Sequence, residues 1–300
     1  MRHIVPLVGL AALLAGGGRQ ERGRPVIILV HGRGMVGRDS AATRQLWRDA
    51  LISAGRTLTA QPLIEDGDVR VAWYADVLDP RSSDSCDLPP TDRRVLRDRA
   101  EDPQLRQFVG AVGGVLDLLT DVVDDTATAD GLRGLAADAS FLTDVHKRCA
   151  VESRLDRALD RAHAEGRPVI LVAHSMGSLV AYDLLSSRID TGRVWRLITI
   201  GSPLGSPDLR HLLIGGDSSD TLAVPRDVGA WVNIRNAGDL FATRLTVGRD
   251  VVSEPPTDEA DPHEMTGYLR GTIAAREVLG AWCSAFSVTR PSGCKDIHSD

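Results

Sequence analysis

One segment, between residues 168 and 185, limits the possible folds more than any other part of the chain. It begins with an uninterrupted apolar run, Pro168–Val172, which predicts a strand buried on both faces of a sheet. The sequence Ala-His-Ser-Met-Gly (173–177) follows directly, and a helical pattern runs over 178–186. A strand that turns straight into a helix through small residues holds the side chain at the turn clear of the sheet. We therefore predict that Ser175 lies on a nucleophile elbow.

Strand-like and helix-like patterns alternate along much of the chain, which is typical of a parallel sheet flanked by helices. We therefore predict the α/β fold class. The other predicted strands are Pro25–Val30, Val69–Tyr74, Leu197–Ile200 and Ala230–Ile234. The other predicted helices are one that starts at a Ser40 cap, Leu155–Ala164, and a long helix from about Glu264 to Ala281.

The predicted domain covers residues 24–285, with a helical insertion at about 79–150 that precedes the nucleophile strand. Apolar residues recur at helical spacing within the insertion, which fits ordinary core packing or a lid over an acyl-binding pocket. Residues 286–300 are predicted to be a C-terminal tail.

The turn after the first strand has the sequence His31-Gly32-Arg33-Gly34. An enzyme that transfers an acyl group must stabilise an oxyanion, and backbone N–H groups are suited to this. We predict that Met176, which follows the serine, supplies one donor and that Arg33 or Gly32 supplies the other. The alternative is a plain turn between a strand and a helix.

The base is expected downstream of the serine, after an acidic residue. We predict His263 for this role, because it lies beyond the last predicted strand, at the start of the final helix. His174 is set aside, since a residue next to the nucleophile in a tight elbow points elsewhere. The other downstream histidines are His211, which comes too early, and His298, which is close to the chain end.

Asp239 is the predicted acid, because it lies in a turn just beyond the strand at 230–234. Asp250 and Asp227 are the alternatives. In this arrangement His263 takes the proton from Ser175 while Asp239 orients the imidazole.

Composition restricts the possible partners. The net charge is −6 and aromatic residues make up 4% of the 300 residues, which argues against a nucleic-acid partner. No cysteine pair has C-x-x-C spacing and no Cys/His cluster suggests zinc, so no metal is predicted. The four cysteines fit two disulfides, Cys86 with Cys149 and Cys283 with Cys294, or four free thiols.

The N-terminal residues 1–18 have a short basic region, a short apolar run and small residues, which predicts a secretory signal peptide. The apolar run is too short for a stable membrane span. We therefore expect an exported protein, whereas a buried first element of a cytoplasmic enzyme is the alternative. Nothing in the sequence predicts the oligomeric state.

The elbow, the His-Gly-x-Gly turn, the Asp239 loop and His263 together resemble the α/β-hydrolase superfamily of bacterial serine esterases and lipases. The resemblance implies a mostly parallel sheet flanked by helices, no cofactor, and hydrolysis of lipid-like or small acyl esters. Ala173, which stands where the usual motif has glycine, is a departure. An acyltransferase or thioesterase with the same three residues is the alternative function, and a non-catalytic binding module is another.

Overall fold

The computed structural model describes residues 23–79, 81–100, 141–142, 144–187, 194–210, 213, 222–254, 261–287 and 289–297. Within these residues, six strands form one parallel sheet in the order β2-β1-β3-β4-β5-β6. The strands are β1 (Val26–Val30), β2 (Val69–Ala72), β3 (Val169–His174), β4 (Val194–Ile200), β5 (Trp231–Asn236) and β6 (Arg249–Ser253). The helices are α1 (Ser40–Gly55), α2 (Ala75–Leu78), α3 (Pro90–Ala100), α4 (Val145–Ala164), α5 (Met176–Ser187), α6 (Pro207–Arg210), α7 (Met265–Arg270) and α8 (Thr272–Ser284).

Helices cover both faces of the sheet. Because side chains alternate along a strand, Ile28 and Val30 of β1 join one apolar core, while Ile27 and Leu29 join the other. The first core includes apolar residues of α4 and α5, and the second includes those of α1 and α8. The predicted fold class, a parallel sheet flanked by helices, is therefore confirmed, and the fold is of the α/β-hydrolase type.

Strand order places the ends of β1 and β3 at a topological switch point. The chain passes from β1 to β2 on one side and returns to add β3 on the other side of β1. In open α/β sheets, ligand sites lie outside the carboxyl ends of the strands at such a point. The turn after β1 and the turn after β3 therefore lie next to each other at this edge.

Some elements differ from the sequence prediction. Strand β6 was not predicted, because its sequence, Arg-Asp-Val-Val-Ser, is short and polar and forms the edge of the sheet. The long helix predicted at 264–281 is two helices, since Gly271 between them has an extended backbone with φ −64° and ψ 131°. Asp39 rather than Ser40 caps α1, and its carboxylate accepts hydrogen bonds from the N–H groups of Ala41 and Ala42.

Two disulfides join the cysteines in the pairs that their positions in the sequence suggested. Cys86 bonds Cys149 at the start of α4, and Cys283 at the end of α8 bonds Cys294. The C-terminal segment packs on the domain as far as it is described, since Cys294 and Ile297 are both buried. Most of the predicted lid, residues 101–140, lies outside the described residues and stays a prediction.

Residues 1–18, the predicted signal peptide, also lie outside the described residues. In the part of the chain that the structure describes, no helix has the length and apolar character needed to cross a bilayer.

Candidate active site

Ser175 lies in the turn between β3 and α5 with a backbone φ of 51°. Of the described residues other than glycine, it alone has a positive φ. Such a backbone conformation costs about 1–2 kcal/mol for a residue with a side chain, so the surrounding structure must hold it. The Ser175 N–H donates to the carbonyl of Ile200 at the end of β4 (3.0 Å). The serine therefore projects from the carboxyl edge of the sheet on a constrained turn.

The small residues on either side of Ser175 allow close packing. A Cβ built on Gly177 would collide with the carbonyl oxygens of His31 and Val30, so the first turn of α5 lies directly against the end of β1. Ala173 is fully buried between β1 and β4, where it pairs with Val30 and Thr199. A methyl group is therefore accommodated at the position where the usual motif has glycine.

His263 lies in the loop between β6 and α7, and its ring is within hydrogen-bond distance of the serine hydroxyl. Nε2 of His263 is 2.9 Å from the Ser175 Oγ, and Nδ1 lies 2.9 Å and 3.0 Å from the two carboxylate oxygens of Asp239. A carboxylate only accepts hydrogen bonds, so Nδ1 carries the proton and Nε2 accepts from the serine hydroxyl. The three side chains, 88 and 24 residues apart along the chain, thus form one hydrogen-bonded series.

Asp239 follows β5, and its carboxylate accepts hydrogen bonds from several other groups. The N–H groups of Phe241 (2.9 Å) and Ala242 (3.2 Å) donate to Oδ1, and the hydroxyl of Tyr268 donates to Oδ2 (2.7 Å). Burial opposes ionisation of this carboxyl, but the hydrogen bonds from His263 and Tyr268 outweigh burial and hold the pKa of Asp239 below its ordinary value. Asp239 is therefore an anion beside the ring of His263.

Tyr268, on α7, was not predicted to belong to the site. Its oxygen accepts a hydrogen bond from the Asn236 N–H (2.8 Å) and its hydroxyl donates to Asp239, so it joins the end of β5 to the carboxylate. Burial, together with the neighbouring carboxylate, raises the pKa of Tyr268, which keeps the phenol protonated and able to donate. The only sequence feature that could have indicated this role is the position of the tyrosine, five residues after the predicted base.

The alternative acids lie elsewhere. Asp250 forms an ion pair with Arg235 (2.7 Å) and accepts a hydrogen bond from Asn233 (2.7 Å). The main chain of Asp227 bonds Val194 at the amino end of β4, on the opposite edge of the sheet from Ser175. His211 and His298 lie outside the described residues.

His31 fixes the turn that was predicted to bind an oxyanion. The Tyr74 N–H donates to its Nε2 (3.1 Å), so the neutral ring carries its proton on Nδ1 and donates to the Gly32 carbonyl (2.7 Å). Burial lowers the pKa of His31 to about 4, which keeps the ring neutral. The carbonyl of a peptide and the following N–H point in opposite directions. The Arg33 N–H therefore points away from the His31 ring.

The two other predicted oxyanion residues lie beside the serine. Met176 is the first residue of α5, where the N–H groups of a helix have no intrahelical partner. Gly32 is so close that a Cβ built on it would lie 2.8 Å from the Ser175 Cβ.

His174 is buried beneath this group of residues. Its Nε2 lies 2.7 Å from the main-chain oxygen of His263, and its ring is 4.9 Å from the His263 ring, centre to centre. The ring thus bonds a carbonyl and not the serine hydroxyl, in agreement with its exclusion as the base.

Two large apolar residues border the site on the loop that carries Asp239. Leu240 is 95% exposed and Phe241 is 49% exposed. The ring of Phe241 lies 4.8 Å from that of His263, and the guanidinium of Arg33 lies over Phe241 at 4.4 Å. We call Leu240, Phe241 and Arg33 the rim. No group of His, Cys, Asp and Glu among the described residues is arranged to hold a metal ion.

Comparison with known families gives a match to one segment of the chain. Residues 151–230 match the lecithin:cholesterol acyltransferase family, a family of α/β-hydrolase type. The matched segment runs from α4 to the residue before β5, so it includes Ser175 but neither Asp239 nor His263. No curated protein matches the chain significantly. The protein thus has an α/β-hydrolase fold, and its central segment is similar to a family of lipid acyltransferases.

Proposed function

We propose that this protein is a serine hydrolase that cleaves carboxylic esters through an acyl-enzyme. The proposal is carried by the hydrogen-bonded series Ser175–His263–Asp239 on a strained strand-to-helix turn. A serine hydroxyl is a weak nucleophile unless a base accepts its proton, and Nε2 of His263 is at the required distance. The likeness of residues 151–230 to a family named for acyl transfer points to the same chemistry.

The reaction follows from the positions of these groups. Nε2 of His263 takes the hydroxyl proton while Oγ of Ser175 attacks the ester carbonyl, and Asp239 stabilises the imidazolium that forms. The N–H groups of Met176 and Arg33, or of Gly32, donate to the developing oxyanion. The alcohol leaves with the proton from His263. Water then attacks the acyl-enzyme, with the same ring as base, and releases the acid and the free serine.

The substrate class is proposed from the rim. An acyl or alcohol group bound at Ser175 passes close to the Phe241 ring, because the centre of that ring lies 4.8 Å from the centre of the imidazole that contacts the serine. Fully burying a leucine-sized side chain contributes about 1.5–3 kcal/mol. Substrates with an apolar chain are therefore preferred, as in a bacterial lipase-like esterase.

Labelling with a fluorophosphonate probe tests the nucleophile. We expect the wild-type protein to be labelled and Ser175→Ala to be unlabelled, with circular dichroism showing that both are folded. A folded wild-type protein that is neither labelled nor active on p-nitrophenyl esters would contradict the proposal and would favour a binding module.

Acyl transfer to an alcohol is the second candidate, and the family match is the observation that favours it. In that reaction an alcohol replaces water in the second step, and His263 deprotonates it. The two are distinguished by incubating an acyl ester with a long-chain alcohol or a sterol and measuring the ratio of new ester to free acid. Transfer predicts that new ester predominates, whereas hydrolysis predicts free acid alone.

Export is proposed on the basis of the two disulfides, which persist in oxidising compartments. Expression with residues 1–18 intact should yield a processed protein in the periplasm or the medium. Retention of the full-length chain in the cytoplasm would contradict the proposal.

A further inference from the structure

We propose that His174 is a positioning residue that holds the main chain of His263, so that Nε2 of His263 stays directed at the Ser175 hydroxyl. The proposal rests on the proposed function, because it assigns a second histidine to the same site. His174 precedes the nucleophile by one residue, and its ring is buried under the loop that carries His263.

The tautomer of His174 follows from its partner. The His263 carbonyl can only accept, so Nε2 of His174 carries the proton and donates over 2.7 Å. Burial, followed by the charge of the neighbouring His263 when that ring is protonated, lowers the pKa of His174 to about 3. The ring is therefore neutral and keeps one fixed donor throughout the pH range in which an esterase works.

The other side of the same ring faces the turn after β1. A Cβ built on Gly32 would lie 2.9 Å from Nδ1 of His174, so these two residues are in direct contact. His174 thus touches the turn predicted to bind the oxyanion and also holds the main chain of the base. One rigid ring sets the separation between the two segments.

The loop around His263 is also attached to the end of β5. Its preceding carbonyl, that of Pro262, accepts a hydrogen bond from the Asn236 side chain at the end of β5 (3.0 Å). The His263 N–H donates to Asp261 within the same loop (2.9 Å). Two adjacent carbonyls are therefore tied to two different strands, β5 through Asn236 and β3 through His174.

The position of this hydrogen bond has a chemical consequence. Nε2 of His263 must lie within hydrogen-bond distance of the serine to accept its proton, and a displacement of about 1 Å can lower a rate by about 100-fold. The side chain of His263 is already oriented by Asp239, which bonds Nδ1. That bond acts on the ring, whereas the hydrogen bond from His174 restrains the main chain of His263 itself.

Two substitutions separate positioning from packing. His174→Phe keeps a buried ring but removes the donor, whereas His174→Gln keeps a side-chain N–H of similar reach. We expect His174→Phe to lower kcat for p-nitrophenyl butyrate and the rate of fluorophosphonate labelling by about 10- to 100-fold, with KM changed less than twofold. We expect His174→Gln to recover most of both rates.

The melting temperature of each variant is measured in parallel. Both substitutions are expected to lower it, because both disturb a buried site. If His174→Phe melts lower but is labelled as fast as the wild type, or if His174→Gln is as slow as His174→Phe, the donor has no positioning role. If the wild type itself is not labelled, the proposed function fails and this inference fails with it, whereas a labelled wild type with an equally fast His174→Phe variant overturns this inference alone. Should His174→Phe not fold, His174→Leu, which also lacks the donor, takes its place, and labelling of His174→Leu as fast as that of the wild type would overturn the inference.

Discussion

The hydroxyl of Tyr268 donates a 2.7 Å hydrogen bond to Oδ2 of Asp239, the same oxygen that lies 2.9 Å from the His263 ring. The carboxylate therefore accepts hydrogen bonds from a side chain of α7 as well as from main-chain N–H groups of the loop after β5. A hydrogen bond to a charged group contributes about 1.5–3 kcal/mol, and tenfold in rate corresponds to about 1.4 kcal/mol.

Tyr268→Phe removes this donor and keeps the ring. We expect kcat/KM for p-nitrophenyl butyrate to fall by about tenfold, because Asp239 then orients the imidazole less firmly. Steady-state kinetics on the variant measure this. A rate equal to that of the wild type would mean that the main-chain N–H groups of Phe241 and Ala242 hold the carboxylate without the phenol.

Asp239 also makes folding stability depend on pH. Its pKa is lower in the folded protein than in the unfolded chain, so its ionised form stabilises the fold above the ordinary carboxyl pKa of about 4. This contribution is lost as the pH falls through the lower, folded pKa. Denaturant unfolding gives the free energy of unfolding of the wild type and of Asp239→Asn. We expect the value for the wild type minus that for Asp239→Asn to be constant near neutral pH and to decrease as the pH falls into the acid range. A difference independent of pH would contradict the lowered pKa.

The backbone strain at Ser175 predicts that activity and stability oppose each other at this residue. Ser175→Gly and Ser175→Ala both remove the nucleophile and should both abolish ester hydrolysis. Glycine adopts a positive φ without penalty, although it also makes the unfolded chain more flexible. We expect the glycine variant to be more stable than the alanine variant by about 0.5–1 kcal/mol. Equal stabilities would mean that the turn is not strained.

The rim predicts chain-length preference. Leu240→Asp places a charge where an apolar chain is expected to lie, so the ratio of kcat/KM for p-nitrophenyl decanoate to that for the acetate should fall roughly three- to tenfold. Val252→Asp is the matched control, because Val252 is also an exposed apolar residue (51%) but lies on the edge strand β6. If both variants lower the ratio equally, the rim does not bind the chain.

The two disulfides should differ in their effect on stability. They join residues separated by 63 and by 11 positions, and the longer loop restricts the unfolded chain more. Replacing Cys86 and Cys149 by alanine should therefore cost about 1.5 kcal/mol more than replacing Cys283 and Cys294. Denaturant unfolding of the two double variants measures the difference, and the reverse order would mean that folded-state packing decides it.

The predicted fold came from patterns that are local in the sequence. The buried strands β1 and β3 are continuous apolar runs, and the small residues around Ser175 mark the turn into α5. Each of these features is determined by the residues of the strand or turn itself, so a single sequence is enough to recognise it. Strand β6 was missed because an edge strand needs little apolar surface, and its assignment depends on pairing with β5.

The contacts around the site depend on residues far apart in the chain. The sequence narrowed the acid to three aspartates, but only packing separates Asp239 from Asp250, which Arg235 neutralises. The sequence did not indicate that Tyr268 and His174 bond other residues of the site. Their hydrogen-bond partners lie 29 and 89 positions away in the chain. A tyrosine hydroxyl and a histidine ring are common hydrogen-bond donors, and only the fold shows which groups they contact.

The close approach of Gly177 to the carbonyl oxygens of Val30 and His31 leaves no gap between the elbow and the turn after β1. The nucleophile and the groups expected to receive the oxyanion must then move together as one body. Adjustment to substrates of different shape therefore falls to the exposed rim residues Leu240 and Phe241 on the loop after β5. Divergence in specificity among proteins built this way should accordingly accumulate at these rim positions, while the elbow stays unchanged.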